Sequence, residues 1–350
     1  MTDAGYAAAG VDIEAGATAV ELMRAHVKRA TRPEAIGGIG GFAGLFDAAK
    51  LSAYRHPILA TSTDGVGTKV VLASRMHRYD TIGIDLVAMV ADDLVACGAE
   101  PLFLTDYVVC GSVVPERAAT IVSGVADGCA LAGCALLGGE TAEHPGHLGP
   151  DDFDLAAAAT GVVEADELLG PDRVRPGDAV IAMASSGLHS NGYSLARMVL
   201  DRANLSLDAE LPGLTRPLGE ELLEPTRIYA RDCLALAQQC DVRAYAHITG
   251  GGLAANLSRV LSPGTAATLD RRTWRPPAIF GLLAGYGQIP PAEMERVFNM
   301  GVGMAAIIAP ESVSTALALL TTQGIPAWPI GEVTPSEAPP ATHLTGSHPT

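Results

Sequence analysis

Carboxylates placed beside glycines or within apolar segments are the side chains in this sequence best suited to chemistry. The stretch STDGVGTK contains Asp64, and two adjacent acids, Asp92 and Asp93, lie in a long apolar stretch. A third carboxylate group, Glu140, follows a Gly–Gly pair at the end of an apolar run. Mg²⁺ prefers one or two carboxylates together with water and phosphate oxygens. The three groups together predict a magnesium site that serves a phosphorylated ligand.

The stretch STDGVGTK (62–69) is not a P-loop, although its composition suits phosphate. A P-loop carries Gly-Lys-Ser/Thr at the start of a helix. Here Thr68 precedes Lys69, and an apolar run follows. We expect Gly65 and Gly67 to permit close backbone approach and Lys69 to place a positive charge on phosphate.

The helix predicted over 83–98 contains three acids but neither Lys nor Arg. Asp85 and Asp92 are two turns apart and share one face of this helix, with Asp93 next to them. A buried carboxylate without a partner is costly, so these acids must lie in water or against cations. Two interpretations stay open, a solvated polar stripe and a Mg²⁺ site.

The segment IGGIGGFAGLFD (36–47) contains a formal G-x-G-x-x-A pattern at Gly38, Gly40 and Ala43. A dinucleotide-binding fingerprint must follow a strand, whereas here a helix ended by Pro33 comes first, so we reject a Rossmann fold. Its many glycines instead predict a flexible lid whose N–H groups wrap phosphate oxygens.

Two loops in the second half of the chain have the composition of anion sites at helix starts. SSGLHSNGYS (185–194) and HITGGGLAANL (247–257) each place small and polar residues before a predicted helix. The N–H groups at a helix N-terminus bind anions. His189 could add a proton donor or a phosphate contact, or it could simply be polar surface. Together the loops predict a phosphorylated substrate.

Composition excludes several classes of partner. The chain has 350 residues, 48% of them apolar, and a formal net charge of −16. Nucleic acids and anionic membrane surfaces are excluded as partners because both are bound through Lys and Arg. The six cysteines form no C-x-x-C pair, no basic leader opens the sequence, and no apolar run could span a bilayer. We expect a cytoplasmic protein with reduced thiols.

Pro- and Gly-rich segments that interrupt the predicted helices and strands indicate two domains of mixed α/β (α+β) class. The boundary is placed at ELLGPDRVRPGDAV, which gives domains over 1–166 and 167–334, and the polar tail 335–350 is expected to be disordered. Strands and helices alternate in the second half, which favours an α+β layer. Among the predicted elements are strands at 58–62, 179–184 and 302–308 and helices at 115–132 and 218–240.

The motifs, taken in this order, resemble the phosphoribosylformylglycinamidine cyclo-ligase family, the aminoimidazole ribonucleotide synthetases of purine biosynthesis. The stretches that carry the resemblance are GVDIEAG, GGIGGFAGLF, STDGVGTK, TIGIDLVAM, DDLVACGAEPLFLTDY, GGETAEHPG, SSGLHSNGYS, PTRIY, HITGGG and FNMGVGM. The resemblance implies a cytoplasmic homodimer that uses ATP and Mg²⁺, with a monovalent cation such as K⁺ as a further candidate. It also implies N-terminal domains, each with a mixed sheet, that pair into a dimeric β-barrel and a C-terminal ferredoxin-like α+β domain.

The resemblance further implies that ATP drives closure of formylglycinamidine ribonucleotide (FGAM) to aminoimidazole ribonucleotide (AIR), with release of ADP and phosphate. The implied Mg²⁺ ligands are Asp64, Asp93 and Glu140. The implied ATP-binding residues are Gly38, Gly40, Gly41, Phe42, Gly65, Gly67, Thr68, Lys69, Asp92, Gly139 and Thr141. The implied substrate-binding residues are His189, Ser190, Asn191, Gly192, Thr249, Gly250, Gly251 and Gly252. The implied catalytic residues are His189, Asn191 and Lys69. Many members carry Asn where this chain has Asp92, which leaves open whether Asp92 is an extra ligand.

Three alternatives share parts of this pattern. A selenophosphate synthetase needs a Cys or selenocysteine near the glycine lid, but the first cysteine here is Cys97. A thiamine monophosphate kinase would keep the metal carboxylates and should lack SSGLHSNGYS. A nucleotide-binding regulator without turnover would keep the ATP site alone. Phosphate release that depends on FGAM separates the last from the enzyme.

Overall fold

The computed structural model describes residues 12–38 and 40–349, which divide into two compact units. The described residues up to Leu94, together with Glu100–Ala165, form the N-terminal unit. Val95–Ala99 and the described residues from Asp166 onward form the C-terminal unit. Within these described residues, no helix is both long and apolar enough to cross a membrane.

The N-terminal unit is built on a mixed sheet. Its elements, in chain order, are α1 (Ile13–Val27), β1 (Ala35–Ile36), β2 (Leu45–Phe46), β3 (Pro57–Gly65), α2 (Lys69–Met76), α3 (Ile82–Ala96), β4 (Glu100–Cys110), α4 (Pro115–Ala132), β5 (Ala135–Glu143) and β6 (Phe153–Glu164). Four strands form one sheet in the order β3-β6-β4-β5, and β1 pairs with β2 separately. The β4–β5 pair is parallel, whereas β6 is antiparallel to both β3 and β4. The predicted mixed sheet is therefore confirmed.

Local signals in the sequence set the ends and the contacts of the helices. Asp12 caps α1 by accepting a hydrogen bond from the backbone of Ala15. Pro115 opens α4, and Gly133 ends it in the left-handed conformation. A Cβ atom on Gly83 in α3 would lie 2.1 Å from a backbone nitrogen of α4. Only glycine permits this close packing of the two helices.

The two faces of the four-stranded sheet differ in burial. Along β4, Leu102, Leu104, Asp106 and Val108 are all buried, as expected for alternate residues of one covered face. On β3 the opposite face leaves 60% of Leu59 exposed. One charged residue, Asp106, therefore lies in an otherwise apolar row.

The C-terminal unit contains a six-stranded sheet with helices. Its elements, in chain order, are β7 (Ala179–Ala184), α5 (Tyr193–Ala203), α6 (Leu218–Leu222), α7 (Ala230–Gln239), β8 (Val242–His247), α8 (Gly252–Ser258), β9 (Thr265–Asp270), α9 (Ala278–Gly287), α10 (Pro291–Val297), β10 (Val302–Ile308), α11 (Val313–Thr322), β11 (Ala327–Pro335) and β12 (Ala341–Thr345). The strand order is β12-β9-β11-β7-β10-β8. The single helix predicted over 218–240 is wrong, since α6 and α7 are separate helices with Pro225 between them.

The predicted disorder of the tail 335–350 is also wrong. Strand β12 pairs with β9 in parallel, and Leu344 packs against the core of the unit. Arg271 Nη1 donates to the carbonyl of Leu344 at 2.7 Å, and the ring of His348 lies 4.6 Å from that of Trp274. The edge of β9 would otherwise expose unpaired backbone groups, which the polar tail satisfies.

Candidate functional site

A cavity of about 660 Å³ in the N-terminal unit lies between α1, α4, the glycine segment and the middle parts of β4 and β5. Its apolar walls include Val20, Met23, Val27, Val122 and Leu136. The predicted ATP-binding residues that line it are Gly38, Gly40, Gly41, Phe42, Gly139 and Thr141. Its volume is in the range of small-molecule sites. The structure therefore brings the glycine segment and the GGET stretch together around one cavity.

The glycine segment rests on the edge of the sheet. A Cβ atom on Gly44 would lie 2.7 Å from the side chain of Leu137 in β5, so this glycine permits close contact. Phe42 is fully exposed, and Ile36 and Leu45 are more than half exposed. The segment thus presents apolar side chains and glycine backbone to its surroundings, as the predicted lid would. Residue 39 lies outside the described residues.

Asp106 is the carboxylate that sequence reasoning missed in this cavity. It is 9% exposed and lines the cavity, and its Oδ2 atom makes no hydrogen bond with any part of the chain that the structure describes. Burial raises the pKa of this carboxyl from 3.8 to about 7. A Cβ atom on Gly139 would lie 1.5 Å from Asp106 Oδ1, so glycine is needed at that position. The signal was present, because the two-residue period of β4 places Asp106 on the buried face.

Asp64 and Asp93 approach the same face of β3. Ser62 Oγ donates to Asp93 Oδ2 at 3.2 Å, and Ser62 and Asp64 lie two residues apart on one face of the strand. Asp93 is exposed and Asp64 is half-buried, so both carboxylates can reach a ligand. Two carboxylates of this kind suit Mg²⁺, which completes its coordination with phosphate and water.

Glu140 does not join these two carboxylates. It lies in β5, three strands from β3 in the sheet, and its Oε1 accepts from the backbone of Thr141. Over residues 12–38 and 40–349, no group of three or more His, Cys, Asp or Glu side chains forms a metal-binding cluster. The three predicted metal ligands are therefore divided into a pair and a separate acid at the cavity.

Lys69 occupies a different place from the one predicted for it. Its Nζ atom lies 2.8 Å from Asp85 Oδ1, and both side chains have no exposed surface. Because α2 begins at Lys69, the side chain enters the interior of the unit against α3. In this arrangement Lys69 joins two helices and does not face the cavity. Its ammonium group contacts Asp85 instead of the predicted phosphate.

Of the three acids of α3, Asp85 and Asp92 are 0% exposed, whereas Asp93 is exposed. The solvated-stripe interpretation is therefore wrong for Asp85 and Asp92. Asp92 therefore has no surface with which to contact ATP directly in this arrangement. Of the STDGVGTK stretch, Gly67 and Thr68 are exposed between β3 and α2, with Gly67 in the left-handed conformation (φ 69°).

In the C-terminal unit, the structure brings the two predicted anion loops together. A Cβ atom on Gly250 would lie 3.5 Å from Asn191 Oδ1, so these two positions are neighbours. Asn256 Nδ2 donates to the carbonyls of Thr249, Gly250 and Gly252, which fixes the glycine turn. Asn191, Gly192, Thr249, Gly250 and Gly251 keep exposed surface. These residues form the accessible part of the second site.

His189 has a structural environment, not that of an exposed proton donor. It is 2% exposed, adopts φ 64°, and its Nε2 accepts from the backbone N–H of Ser186 at 3.1 Å. A Cβ atom on Gly303 would lie 2.4 Å from His189 Cε1 and 2.1 Å from Tyr229 Oη. Ser190 is also buried, and its hydroxyl bonds that of Thr226 at 3.0 Å. His189 and Ser190 therefore hold the loop that presents Asn191.

The sequence matches two family descriptions over most of its length. Residues 46–163 match "AIR synthase related protein, N-terminal domain", and residues 175–341 match "AIR synthase related protein, C-terminal domain". The protein named phosphoribosylformylglycinamidine cyclo-ligase from Geobacillus kaustophilus is 51% identical over 329 residues, which cover 94% of this chain and 95% of that protein. The protein of the same name from Myxococcus xanthus is also 51% identical over 329 residues, with the same coverage of each chain.

Solved structures with lower identity share the fold. Thiamine-monophosphate kinase from Stenotrophomonas maltophilia is 20% identical, with a TM-score of 0.66 over 95% of this chain and 97% of that chain. The hydrogenase maturation protein HypE of E. coli is 18% identical, with a TM-score of 0.63 over 93% of this chain and 92% of that one. A structure of HypE in complex with ATP has a TM-score of 0.56 at 18% identity, over 89% of this chain and 84% of that chain. At these identities the likeness describes the fold alone.

Proposed function

Because the chain belongs to the phosphoribosylformylglycinamidine cyclo-ligase family, we propose that it converts FGAM and ATP to AIR, ADP and phosphate. The observation that carries this proposal is the 51% identity to enzymes of that name over 94% of the chain. The cavity of the N-terminal unit and the paired glycine loops of the C-terminal unit support it, since each would offer a site to one of two phosphorylated ligands.

The chemistry explains why ATP is needed. A formamide oxygen is a poor leaving group, so the γ-phosphoryl group of ATP is first transferred to that oxygen and ADP leaves. A neighbouring nitrogen of FGAM then attacks the formyl carbon, and the carbon–oxygen bond breaks with the oxygen departing on phosphate. Phosphoryl transfer asks the protein mainly for positioning and for neutralisation of charge.

We assign ATP to the N-terminal unit. Asp64 and Asp93 would hold Mg²⁺, which when bound neutralises charge on the phosphate groups. The glycine segment would cover the nucleotide, and the exposed turn at Gly67 and Thr68 would offer backbone N–H groups to phosphate oxygens. Glu140 stands at the cavity as a separate carboxylate. Lys69 is left out of the phosphate contacts because it is buried against Asp85.

We assign the ribonucleotide to the C-terminal unit. Asn191 and the turn Gly250–Gly251 keep exposed surface and lie next to each other. Gly192 precedes the first residue of α5, where backbone N–H groups are available to an anion. His189 would act by holding this loop, and Asn191 would touch the substrate.

The test follows the oxygen that the mechanism displaces. With FGAM labelled by ¹⁸O in the formyl group, inorganic phosphate released from ATP should carry one ¹⁸O atom, and its release should depend strictly on FGAM. Release of unlabelled phosphate, or release without FGAM, would exclude the mechanism in favour of simple ATP hydrolysis.

A homodimer formed through the uncovered face of the N-terminal sheet is part of the proposal. Leu59 is 60% exposed and Tyr107 is 39% exposed on this face, which also carries Thr63 and Thr105 in one cross-strand row with Ala158. An uncovered apolar sheet face of this kind suits a second copy of the chain, as in the dimeric barrel that the family resemblance implies.

Sedimentation analysis of Leu59→Asp tests this interface. We expect the wild type to sediment as a dimer and Leu59→Asp as a monomer, because a carboxylate in the apolar interface would be desolvated. The control is Leu131→Asp, since Leu131 is 55% exposed on α4 and away from the sheet face. A dimeric Leu59→Asp protein would exclude this face as the interface.

Three further expectations stay predictions. A ferredoxin-like α+β arrangement of the C-terminal unit would have to be formed by part of its six-stranded sheet and the helices packed on it. A requirement for K⁺ would appear as a dependence of phosphate release on the monovalent cation. A cytoplasmic location would be consistent with the free thiols of Cys110 and Cys129.

A further inference from the structure

We propose that Asp106 accepts a hydrogen bond from the exocyclic amino group of the adenine base and so selects ATP over nucleotides with a 6-oxo base. The inference rests on the proposed ATP site and adds the residue that reads the base.

The shape and polarity of the cavity favour a flat base. Val20, Met23 and Val27 of α1 form one apolar wall, and Val122 and Leu136 are further apolar residues of the lining. Purine rings bury their faces against such walls and present polar atoms only at their edges. A ribose or a phosphate group would instead lose most of its hydration there.

Asp106 is the polar group that such a base would meet. It is buried within an apolar row of β4, and its Oδ2 lacks a hydrogen-bond donor among the described residues. A buried acceptor without a partner is costly, and the raised pKa of Asp106 shows the same cost of desolvation. An amino group of a ligand in the cavity would supply the missing donor.

The register of the sheet places Asp64 and Asp106 on one face, in line across the strands. Asp64 and Asp106 both pair with Ala157 of β6, and Asp106 also pairs with Gly139. Asp64 and Asp106 are thus two strands apart on one face, a separation of about 10 Å. An extended nucleoside triphosphate can cover this distance, with its base at Asp106 and its phosphates toward Asp64 and Asp93.

The chemistry at position 6 of the base makes the proposal testable. Adenine carries an amino donor there, whereas hypoxanthine carries a carbonyl acceptor that a carboxylate would repel. An asparagine at position 106 can accept from the former and donate to the latter. The Asp106→Asn variant should therefore lower the ratio of ATP affinity to ITP affinity, not the affinity for both nucleotides equally.

Calorimetric titration of the full chain with ATP–Mg²⁺ and ITP–Mg²⁺ at pH 8.5, above the pKa of about 7 of Asp106, measures this ratio. We expect Asp106→Asn to reduce the ATP/ITP preference by at least about tenfold, as expected for a hydrogen bond to a charged group. The matched control is Asp154→Asn, since Asp154 is exposed on the adjacent strand β6, and its ratio should equal that of the wild type. An unchanged ratio in Asp106→Asn, or an equal loss for both nucleotides, would overturn the proposal.

A ligand-side measurement keeps the inference testable if Asp106→Asn fails to fold. Purine riboside triphosphate lacks the 6-amino group, and the wild type should bind it at least about tenfold more weakly than ATP. Equal affinities would overturn the proposal. Failure of FGAM-dependent phosphate release together with an intact, Asp106-dependent base preference would refute the ring-closure assignment and leave the role of Asp106 standing.

Discussion

Replacing Lys69 by Met separates the structural role of this residue from the phosphate contact that its motif suggests. Lys69 Nζ lies 2.8 Å from Asp85 Oδ1, and neither side chain has exposed surface. Methionine approximates the apolar stem of lysine, so the main change is that Asp85 loses the ammonium group. Removal of one partner from a buried ion pair costs about 3–5 kcal/mol, because the remaining charge stays desolvated.

The loss should be visible in thermal unfolding. For a unit of this size, 1 kcal/mol lowers Tm by about 2–4 °C, so we expect a decrease of about 6–20 °C. Far-UV circular dichroism is the suitable probe, because Trp274 and Trp328, the only two tryptophans, both lie in the C-terminal unit. The double variant Lys69→Met/Asp85→Leu should recover most of the loss, since neither charge of this pair then remains.

A surface ion pair supplies the matched control. Arg78 Nε lies 3.6 Å from Asp80 Oδ1, and both side chains are about half exposed. Arg78→Met should change stability by less than about 1 kcal/mol. If Lys69→Met instead unfolds like the wild type and loses affinity for ATP in calorimetric titration, then Lys69 is a phosphate ligand and our interpretation of the buried pair is refuted.

Three other variants probe the two sites. Asp93→Asn should lower kcat at saturating Mg²⁺ by at least about tenfold with unchanged thermal unfolding, because a metal-binding charge is lost; wild-type turnover would contradict this assignment. Gly303→Ala would place a methyl group 2.1 Å from Tyr229 Oη and 2.4 Å from His189 Cε1, so the ring of His189 would have to move. Calorimetry should then show weaker FGAM binding with ATP affinity kept. Unchanged FGAM affinity would refute a loop-holding role for His189. Burial raises the pKa of Asp106 from 3.8 to about 7, so the folded unit keeps a proton that the unfolded chain has lost, and stability falls as pH rises across this range. Urea unfolding should show that Asp106→Asn removes this part of the pH dependence, and an identical slope in both proteins would refute it.

Local signals allowed several elements to be predicted from the sequence with their correct ends. The strands predicted at 179–184 and 302–308 and the helix predicted at 115–132 coincide with β7, β10 and α4. Each has a strong signal, namely a short apolar run between Gly or polar residues, or Pro at the first helical position and Gly after the last. The missed strand β12 has a polar composition, and it is ordered only because β9 offers an edge.

The buried ion pair could not be predicted because it joins two helices. The sequence shows that α3 has three acids and no internal cation, which correctly implies that a cation must come from elsewhere. Lys69 lies 16 positions before Asp85, and only the packing of α2 on α3 shows that they meet. The motif predicts a contact between Lys69 and phosphate because the residue stands near glycines. In the structure the buried side chain of Lys69 pairs with Asp85 instead.

The acidic residues of the candidate site also could not be placed relative to one another from the sequence. The sequence predicts one metal site from Asp64, Asp93 and Glu140 because each stands beside glycines or within an apolar segment, and chain order carries no distances. The strand order β3-β6-β4-β5 places Glu140 three strand spacings, about 14 Å, from the level of Asp64. Asp106 shares the covered face with Asp64, because both pair with Ala157, whereas Glu140 pairs with Tyr107 of the uncovered face. Two carboxylates on one face, with Asp93 beside Asp64, match an extended nucleotide better than a single three-carboxylate cluster does.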